Sequence, residues 1–141
     1  MSADELARRC AAAMYADDLA SQRLGITIHD VAVGRATATM TVTAEMINGH
    51  DLCHGGYLVL LADSAFAFAC NTYNVVTVAQ GLDVTFVEPA RRGDELTAEA
   101  VERVRRGRSG LYDVTVRRAD GTVVAEFRGR SRSLTGRLVD E

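Results

Sequence analysis

The spacing of hydrophobic residues divides the first 43 positions into a helix and two strands. Ser2 and Glu5 form a capping box, a pair that satisfies free backbone N–H groups at a helix start. An alanine-rich helix is predicted to follow to about Ala20. From Ile26 the apolar positions recur every second residue, which predicts strands on either side of a turn or bulge at Gly34.

The second predicted strand alternates strictly over residues 36–43, with threonine on one face. A polar loop, residues 44–53, then leads into a long helix from about His54 to Tyr73. Four strand-like runs follow, at residues 75–87, 95–104, 111–118 and 122–133. Asp120-Gly121 between the last two is a hairpin signal. This order predicts an α+β domain in which an antiparallel sheet wraps around one central helix.

A single acid lies within the long apolar helix. Asp63 is the only charged residue between Gly55 and Asn71. Burial of a carboxylate in apolar surroundings is costly and raises its pKa, so a lone acid of this kind is a candidate catalytic group. Gly55 and Gly56 would open the helix with unpaired backbone N–H groups, which can hold a developing oxyanion.

The spacing of these groups has a geometric consequence. Asp63 lies eight residues after Gly55, which is roughly 12 Å along a helix axis. The two cannot act on one carbonyl from the same helix, so a site that uses both is built from two chains with antiparallel helices. The residues alone leave another interpretation open: the glycines form only a tight turn, and Asp63 faces a water-filled groove.

Composition narrows the functional classes. The 141 residues are 48% hydrophobic, which predicts one domain with a substantial core and argues against disorder. The net charge of −3 is not that of a nucleic-acid binder. All 16 basic residues are Arg, and 12 of them follow residue 90, where they outnumber 9 acids. Such a local excess suits a small phosphorylated ligand.

The apolar run and the cysteines indicate the cellular compartment of the protein. The apolar run of residues 57–70 is too short to span a bilayer, and the acidic N-terminus lacks the basic region of a signal peptide. Three cysteines without C-x-x-C spacing fit reduced thiols better than disulfides or a zinc site. We therefore expect a cytoplasmic protein with no metal. Cys53 beside His54 is a weak candidate thiol nucleophile, because adjacent residues seldom aim their side chains at each other.

Three motifs together carry a family resemblance. They are Asn48-Gly49-His50, Cys53-His54-Gly55-Gly56 and residues 61–67, Leu-Ala-Asp-Ser-Ala-Phe-Ala. With this spacing the chain resembles the hotdog-fold acyl-CoA thioesterases, and most closely the PaaI family of phenylacetate degradation. Residues 86–90 and Gly93-Asp94 also match the family's strand end and turn. The likeness runs from about residue 14 to residue 133. It implies one hotdog thioesterase domain over residues 1–141, with an N-terminal helix at residues 1–22 ahead of the core.

The resemblance implies a role for each matching residue. Asp63 would be the catalytic carboxylate, acting either as general base on water or as nucleophile on the thioester. Asn48 would orient the water or the thioester, the Gly55 N–H would polarise the thioester carbonyl, and Gly56 would help to bind the substrate. His54 would support the loop. Asp63 would come from one subunit and the other groups from its partner.

The resemblance also implies substrate and assembly. It favours hydrolysis of aryl-acetyl-CoA, with no cofactor, by a homodimer that pairs into a dimer of dimers and binds neither nucleic acid nor membrane. The coenzyme A phosphates would meet Arg91, Arg92, Arg106 and Arg108.

Some relatives carry a serine where this chain has Ala79-Gln80-Gly81, so a catalytic role for a hydroxyl group at this place is unsupported. Phe66 and Phe68 are expected in the core. A hotdog-type hydratase or dehydratase and a non-catalytic acyl-CoA binding protein are the alternatives.

Overall fold

The computed structural model describes residues 1–141 and contains three helices and six strands. The helices are α1 (Ala3–Asp17), α2 (Leu19–Arg23) and α3 (Gly55–Cys70). The strands are β1 (Thr27–Ala32), β2 (Arg35–Thr41), β3 (Thr77–Phe86), β4 (Glu95–Arg106), β5 (Ser109–Arg118) and β6 (Val123–Ser133). A short 3-10 helix, Ala44–Met46, follows β2. The predicted order of long helix and strands is confirmed.

All six strands form one antiparallel sheet in the order β1-β2-β4-β5-β6-β3, so β1 and β3 are its edges. The sheet wraps around α3, which packs against every strand. The alternation predicted for β2 is confirmed, since Ala36, Ala38 and Met40 are buried while the threonines between them are not. Phe66 and Phe68 are fully buried, as expected. The predicted α+β architecture is therefore correct.

The first helix ends earlier than its alanine-rich pattern suggests. Ser2 caps it as predicted, since its Oγ accepts the Glu5 N–H at 3.1 Å. The helix is interrupted at Asp18, whose side chain accepts the Ser21 N–H at 3.0 Å and caps α2. The predicted continuous helix to Ala20 is therefore wrong, because an acid that can cap a new helix competes with continuation.

The central helix also ends sooner than predicted. It stops at Cys70 rather than Tyr73, because the buried Asn71 side chain bonds to both backbone groups of Thr77 at 2.9 Å. This pair turns the chain directly into β3. In β6, Val124 is spaced by two from Glu126 and Arg128, which predicts that all three face the same side; Val124 is instead buried, because β6 shifts register against β5 there. Further along β6 the outer face exposes Arg128, Arg130 and Arg132.

The edge strand β3 is the least covered part of the sheet. Val78 and Phe86 are 43% and 52% exposed, and a register shift at Gln80 interrupts the pairing with β6. One side of α3 is likewise only partly buried, along a stripe that includes Leu60, Asp63 and Ala67. No helix combines the length and hydrophobicity needed to cross a membrane.

Candidate active site

The loop before α3 is organised by the side chain of Asn48. Its Oδ1 accepts the backbone N–H groups of His50 at 2.9 Å and Leu52 at 3.2 Å. The Asn48 backbone N–H donates to the Leu52 carbonyl at 2.8 Å, and Asp51 adopts a positive φ of 61° to close the turn. With its oxygen engaged, the Asn48 Nδ2 has no partner within the chain and remains a donor for a bound molecule.

His54 fixes the start of the helix. Its backbone N–H donates to the Met46 carbonyl at 2.7 Å, and its Nδ1 accepts the Gly56 N–H at 2.9 Å. Because Nδ1 is the acceptor, the neutral ring carries its proton on Nε2. The expectation that both glycine amides are unpaired therefore holds for Gly55 alone. The Gly56 N–H is already capped by His54 and is not free for a substrate.

Gly55 presents the first free amide of α3. Its N–H makes no hydrogen bond within the chain, and it lies at the positive end of a 16-residue helix. Such an N–H is suited to stabilise negative charge on a carbonyl oxygen. The ring of Phe86 lies directly over this residue, and a Cβ built on Gly55 would be 2.8 Å from Phe86 Cζ. A side chain at position 55 would therefore displace the ring.

Asp63 lies in the middle of the same helix and lacks a hydrogen-bond partner for one buried oxygen, Oδ1. Burial raises the pKa of its carboxyl above the usual aspartate value. Buried polar atoms in folded proteins are almost always satisfied, so an orphaned carboxylate oxygen indicates a group held ready for another molecule.

A pocket of about 410 Å³ opens beside the helix start. It is lined by Asn48, Leu52, Cys53, Gly55, Leu58, Phe86, Val87, Glu88, Pro89 and Ala90. The pocket joins the free donors of Asn48 and Gly55 to an apolar wall, which suits an apolar group attached to a carbonyl. Asp63 does not line it. A second pocket of about 410 Å³, between α1 and β1, contains none of the predicted site residues.

The far wall of the pocket is fixed by contacts that the sequence did not reveal. The Cys53 N–H donates to the Ala90 carbonyl at 2.8 Å, which ties the Asn48 loop to the segment after β3. Arg118 in turn donates to the Pro89 carbonyl at 3.0 Å. Neither Phe86 nor Arg118 was predicted as a site residue. The chain offers no local signal for either, because Phe86 reaches Gly55 from the end of β3 and Arg118 reaches Pro89 from the end of β5.

The four predicted phosphate-binding arginines do not form one cluster. Arg91 and Arg92 precede β4 near the pocket, whereas Arg106 and Arg108 lie at the far end of β4 and beyond it. Eleven residues of strand separate the two pairs, or roughly 35 Å. One chain therefore does not bring all four arginines to the same place. None of the four makes a salt bridge within the chain.

The cysteine thiols are poorly suited to nucleophilic chemistry. All three are free and buried. Burial, with a smaller effect of the Asp94 charge, raises the pKa of the Cys53 thiol to about 11, so little thiolate exists at neutral pH. The Cys53 Sγ lies 3.7 Å from the backbone oxygen of His54, not its ring. No group of three or more His, Cys, Asp or Glu side chains is placed to hold a metal ion.

Comparison of the sequence with known proteins finds similarity to thioesterases. The family model described as the thioesterase superfamily matches residues 50–125. The chain is 44% identical over 129 residues to the acyl-coenzyme A thioesterase PaaI of Escherichia coli K12, covering 92% of each protein.

Two solved structures extend the comparison. The E. coli PaaI protein from the phenylacetic acid degradation operon superposes with a TM-score of 0.95 at 43% identity, over 96% of this chain and 99% of that one. A mutant of the phenylacetic acid degradation protein PaaI from Thermus thermophilus gives a TM-score of 0.78 at 35% identity, over 81% and 97%. The hotdog fold predicted from the sequence is therefore confirmed.

Proposed function

Because this chain belongs to the thioesterase superfamily, we propose that it hydrolyses aryl-acetyl-CoA thioesters to the free acid and coenzyme A. The proposed substrates are phenylacetyl-CoA and its ring-hydroxylated forms, on the basis of the similarity to PaaI proteins. The observation that carries the catalytic assignment is the buried, unpartnered carboxyl oxygen of Asp63. Three free, buried cysteines are consistent with a reducing cytoplasm.

The proposed site is shared between two subunits. The pocket holds Asn48 and Gly55 but not Asp63, which lies roughly 12 Å further along the helix axis. A second chain can supply the carboxylate. The uncovered edge of β3 and the partly buried stripe of α3 that includes Asp63 provide the surface for that chain. An unpaired edge strand of ten residues is otherwise a site of uncontrolled pairing.

The chemistry follows from the three groups. The thioester oxygen accepts the Gly55 N–H, and Asn48 Nδ2 orients the water or the thioester. As general base, the partner subunit's Asp63 takes a proton from water as the hydroxyl attacks the carbonyl carbon. The tetrahedral oxyanion collapses, the carbon–sulfur bond breaks, and the departing thiolate receives that proton. As nucleophile, Asp63 would instead form an anhydride that water then hydrolyses. Both routes need the ionised carboxylate.

The separated arginines fit this assembly. Pairing of β3 with its copy about a two-fold axis is antiparallel, so the Phe86 end of one strand lies beside the Thr77 end of the other. Thr77 pairs with Ser133, whose N–H donates to the Arg108 carbonyl at 2.7 Å. The partner subunit's Arg106 and Arg108 would thus approach the pocket whose wall includes Ala90, the residue before Arg91 and Arg92. We assign the coenzyme A phosphates to this combined set.

The alternative functions are less well supported. A hydratase would need His54 to accept a proton, but the Nδ1 lone pair already accepts the Gly56 N–H and Nε2 carries the proton of the neutral ring. A non-catalytic acyl-CoA binding protein would have no use for an unpartnered carboxylate at Asp63. We also propose that dimers pair into a tetramer, following the family resemblance.

A thiol-release screen tests the proposal. The purified protein is incubated with phenylacetyl-, 4-hydroxyphenylacetyl-, benzoyl-, hexanoyl- and palmitoyl-CoA, and free thiol is measured against a blank without protein. We expect the highest kcat/KM on the aryl-acetyl thioesters. Hydrolysis no faster than the blank on every substrate would refute a thioesterase. A higher kcat/KM on palmitoyl-CoA would refute the substrate class alone.

A further inference from the structure

Phe86 presents a large, half-exposed aromatic ring to the pocket. It is the last residue of β3, it is 52% exposed, and its ring lines the pocket together with Leu58 and Val87. The other three phenylalanines of the chain are buried. The ring of Phe86 is therefore held at the pocket surface, where a bound molecule can cover it.

The position of the ring relative to the helix start is tightly defined. A Cβ on Gly55 would lie 2.8 Å from Phe86 Cζ and 3.2 Å from Cε1 and Cε2, so the distal edge of the ring contacts this residue. Since the N and Cβ atoms of one residue are about 2.5 Å apart, Phe86 Cζ lies within about 5.3 Å of the Gly55 nitrogen. A carbonyl oxygen bound to that N–H would sit about 2.9 Å from the nitrogen.

These distances place the ring beside the acyl group of a bound thioester. In a phenylacetyl group a single methylene separates the carbonyl carbon from the ring. An aromatic pair is favourable at centroid separations of about 4.5–7 Å in offset or edge-to-face geometry. A substrate ring one carbon beyond the carbonyl falls within reach of Phe86, and the absence of a side chain at Gly55 keeps the two rings from being pushed apart.

We propose that Phe86 selects aromatic over aliphatic acyl groups by pairing its ring with that of the substrate. The inference rests on the proposed thioesterase function and deepens it. The selectivity comes from the electrostatics of the ring and not from pocket volume alone, so it should distinguish substrates of nearly equal size. Phe86 is then a specificity residue supplied by the same subunit as Gly55.

The test compares phenylacetyl-CoA with cyclohexylacetyl-CoA, which differ in aromaticity but little in bulk. Phe86→Leu and Phe86→Met keep an apolar side chain without a ring, and Phe86→Tyr keeps the ring. The ratio of the two kcat/KM values is measured for each variant, and size-exclusion chromatography checks assembly. Loss of one aromatic pair should lower the ratio about 2- to 12-fold in Leu and Met variants. The Tyr variant should keep the wild-type ratio.

Gly55→Ala provides a second, independent variant. The new Cβ would displace the distal edge of the Phe86 ring, so the ratio should fall here too while the residue at position 86 is unchanged. An equal loss of activity on both substrates, or an unchanged ratio in the Leu, Met and Ala variants, would overturn the role of Phe86. Failure of the wild-type protein to hydrolyse any thioester would instead overturn the proposed function.

Discussion

The Nδ1 atom of His54 accepts the backbone N–H of Gly56 at 2.9 Å, and this leaves Gly55 with the first free amide of helix α3. One side chain thus determines which of the two glycine amides can meet a substrate. The same residue donates its own N–H to the Met46 carbonyl, so the loop and the helix start are held together.

His54→Ala should therefore affect both stability and turnover. Loss of an N-cap typically costs about 0.5–2 kcal/mol of unfolding free energy. Turnover should fall as well, because the Gly55 amide is no longer aligned. His54→Asn can still cap the helix and is the matched control, for which we expect a near-normal melting temperature. Thermal melts and kcat together check this, and wild-type values of both for the Ala variant would refute the assigned role.

Asp63→Asn should abolish most of the activity without unfolding the protein. The amide keeps the shape of the side chain but can neither take a proton nor attack a carbonyl. We expect a loss of at least ~10²-fold in kcat, the usual contribution of a positioned base, with equal or higher thermal stability. A variant that fails to fold would make Asp63 structural, and a folded variant with more than a tenth of wild-type kcat would contradict its catalytic role.

The same substitution should have a pH-dependent effect on stability. Burial raises the folded-state pKa of Asp63 above its unfolded value, so the native state holds its proton more tightly. This contribution is fully present below the unfolded pKa and is lost as pH rises through the folded pKa. The stability gained by Asp63→Asn should therefore be largest at neutral pH and disappear toward acid. Urea unfolding from pH 4 to 8 at constant protein concentration measures it, and a gain that grows toward acid would contradict the assignment.

The two arginine pairs should act on binding and not on chemistry. Arg91→Ala with Arg92→Ala, and separately Arg106→Ala with Arg108→Ala, should each raise KM with little change in kcat. Phosphate contacts lie far from the reacting carbon, and uniform loss of binding leaves kcat unaffected. Arg117→Ala, an exposed arginine outside both pairs, is the control. If KM is unchanged for a pair, that pair belongs to an ordinary solvated surface.

The residues that could be identified from the sequence are those whose signal is local. Asp63 stands out because an apolar helix surrounds it, and the capping of α1 by Ser2 follows from its neighbours. Strand periodicity predicted the sheet, and the spacing of Gly55 and Asp63 along one helix predicted that the two cannot meet at one carbonyl within one chain. The strand and spacing predictions require only the rise per residue and the periodicity of regular helices and strands.

What the sequence did not reveal depends on contacts between distant segments. Phe86 reaches Gly55 only because β3 returns along α3. The early end of α3 arises from a bond between Asn71 and Thr77 that helix periodicity cannot anticipate. Likewise, only the side-chain geometry of His54 determines that it caps the Gly56 amide and leaves the Gly55 amide free.

The central claim is that each active site takes Asn48 and Gly55 from one subunit and Asp63 from the other. Complementation between two inactive variants, Asn48→Ala and Asp63→Ala, tests it most directly. In a mixed dimer one site carries both lesions and the other carries none. With random pairing half the dimers are mixed and each has one intact site of two.

The measurement is the thioesterase activity of an equimolar mixture after reversible dissociation, with subunit exchange verified by differently tagged chains. Activity should rise from the level of the parents toward a quarter of the wild-type value. A mixture that exchanges subunits fully and stays as inactive as its parents would contradict the shared site.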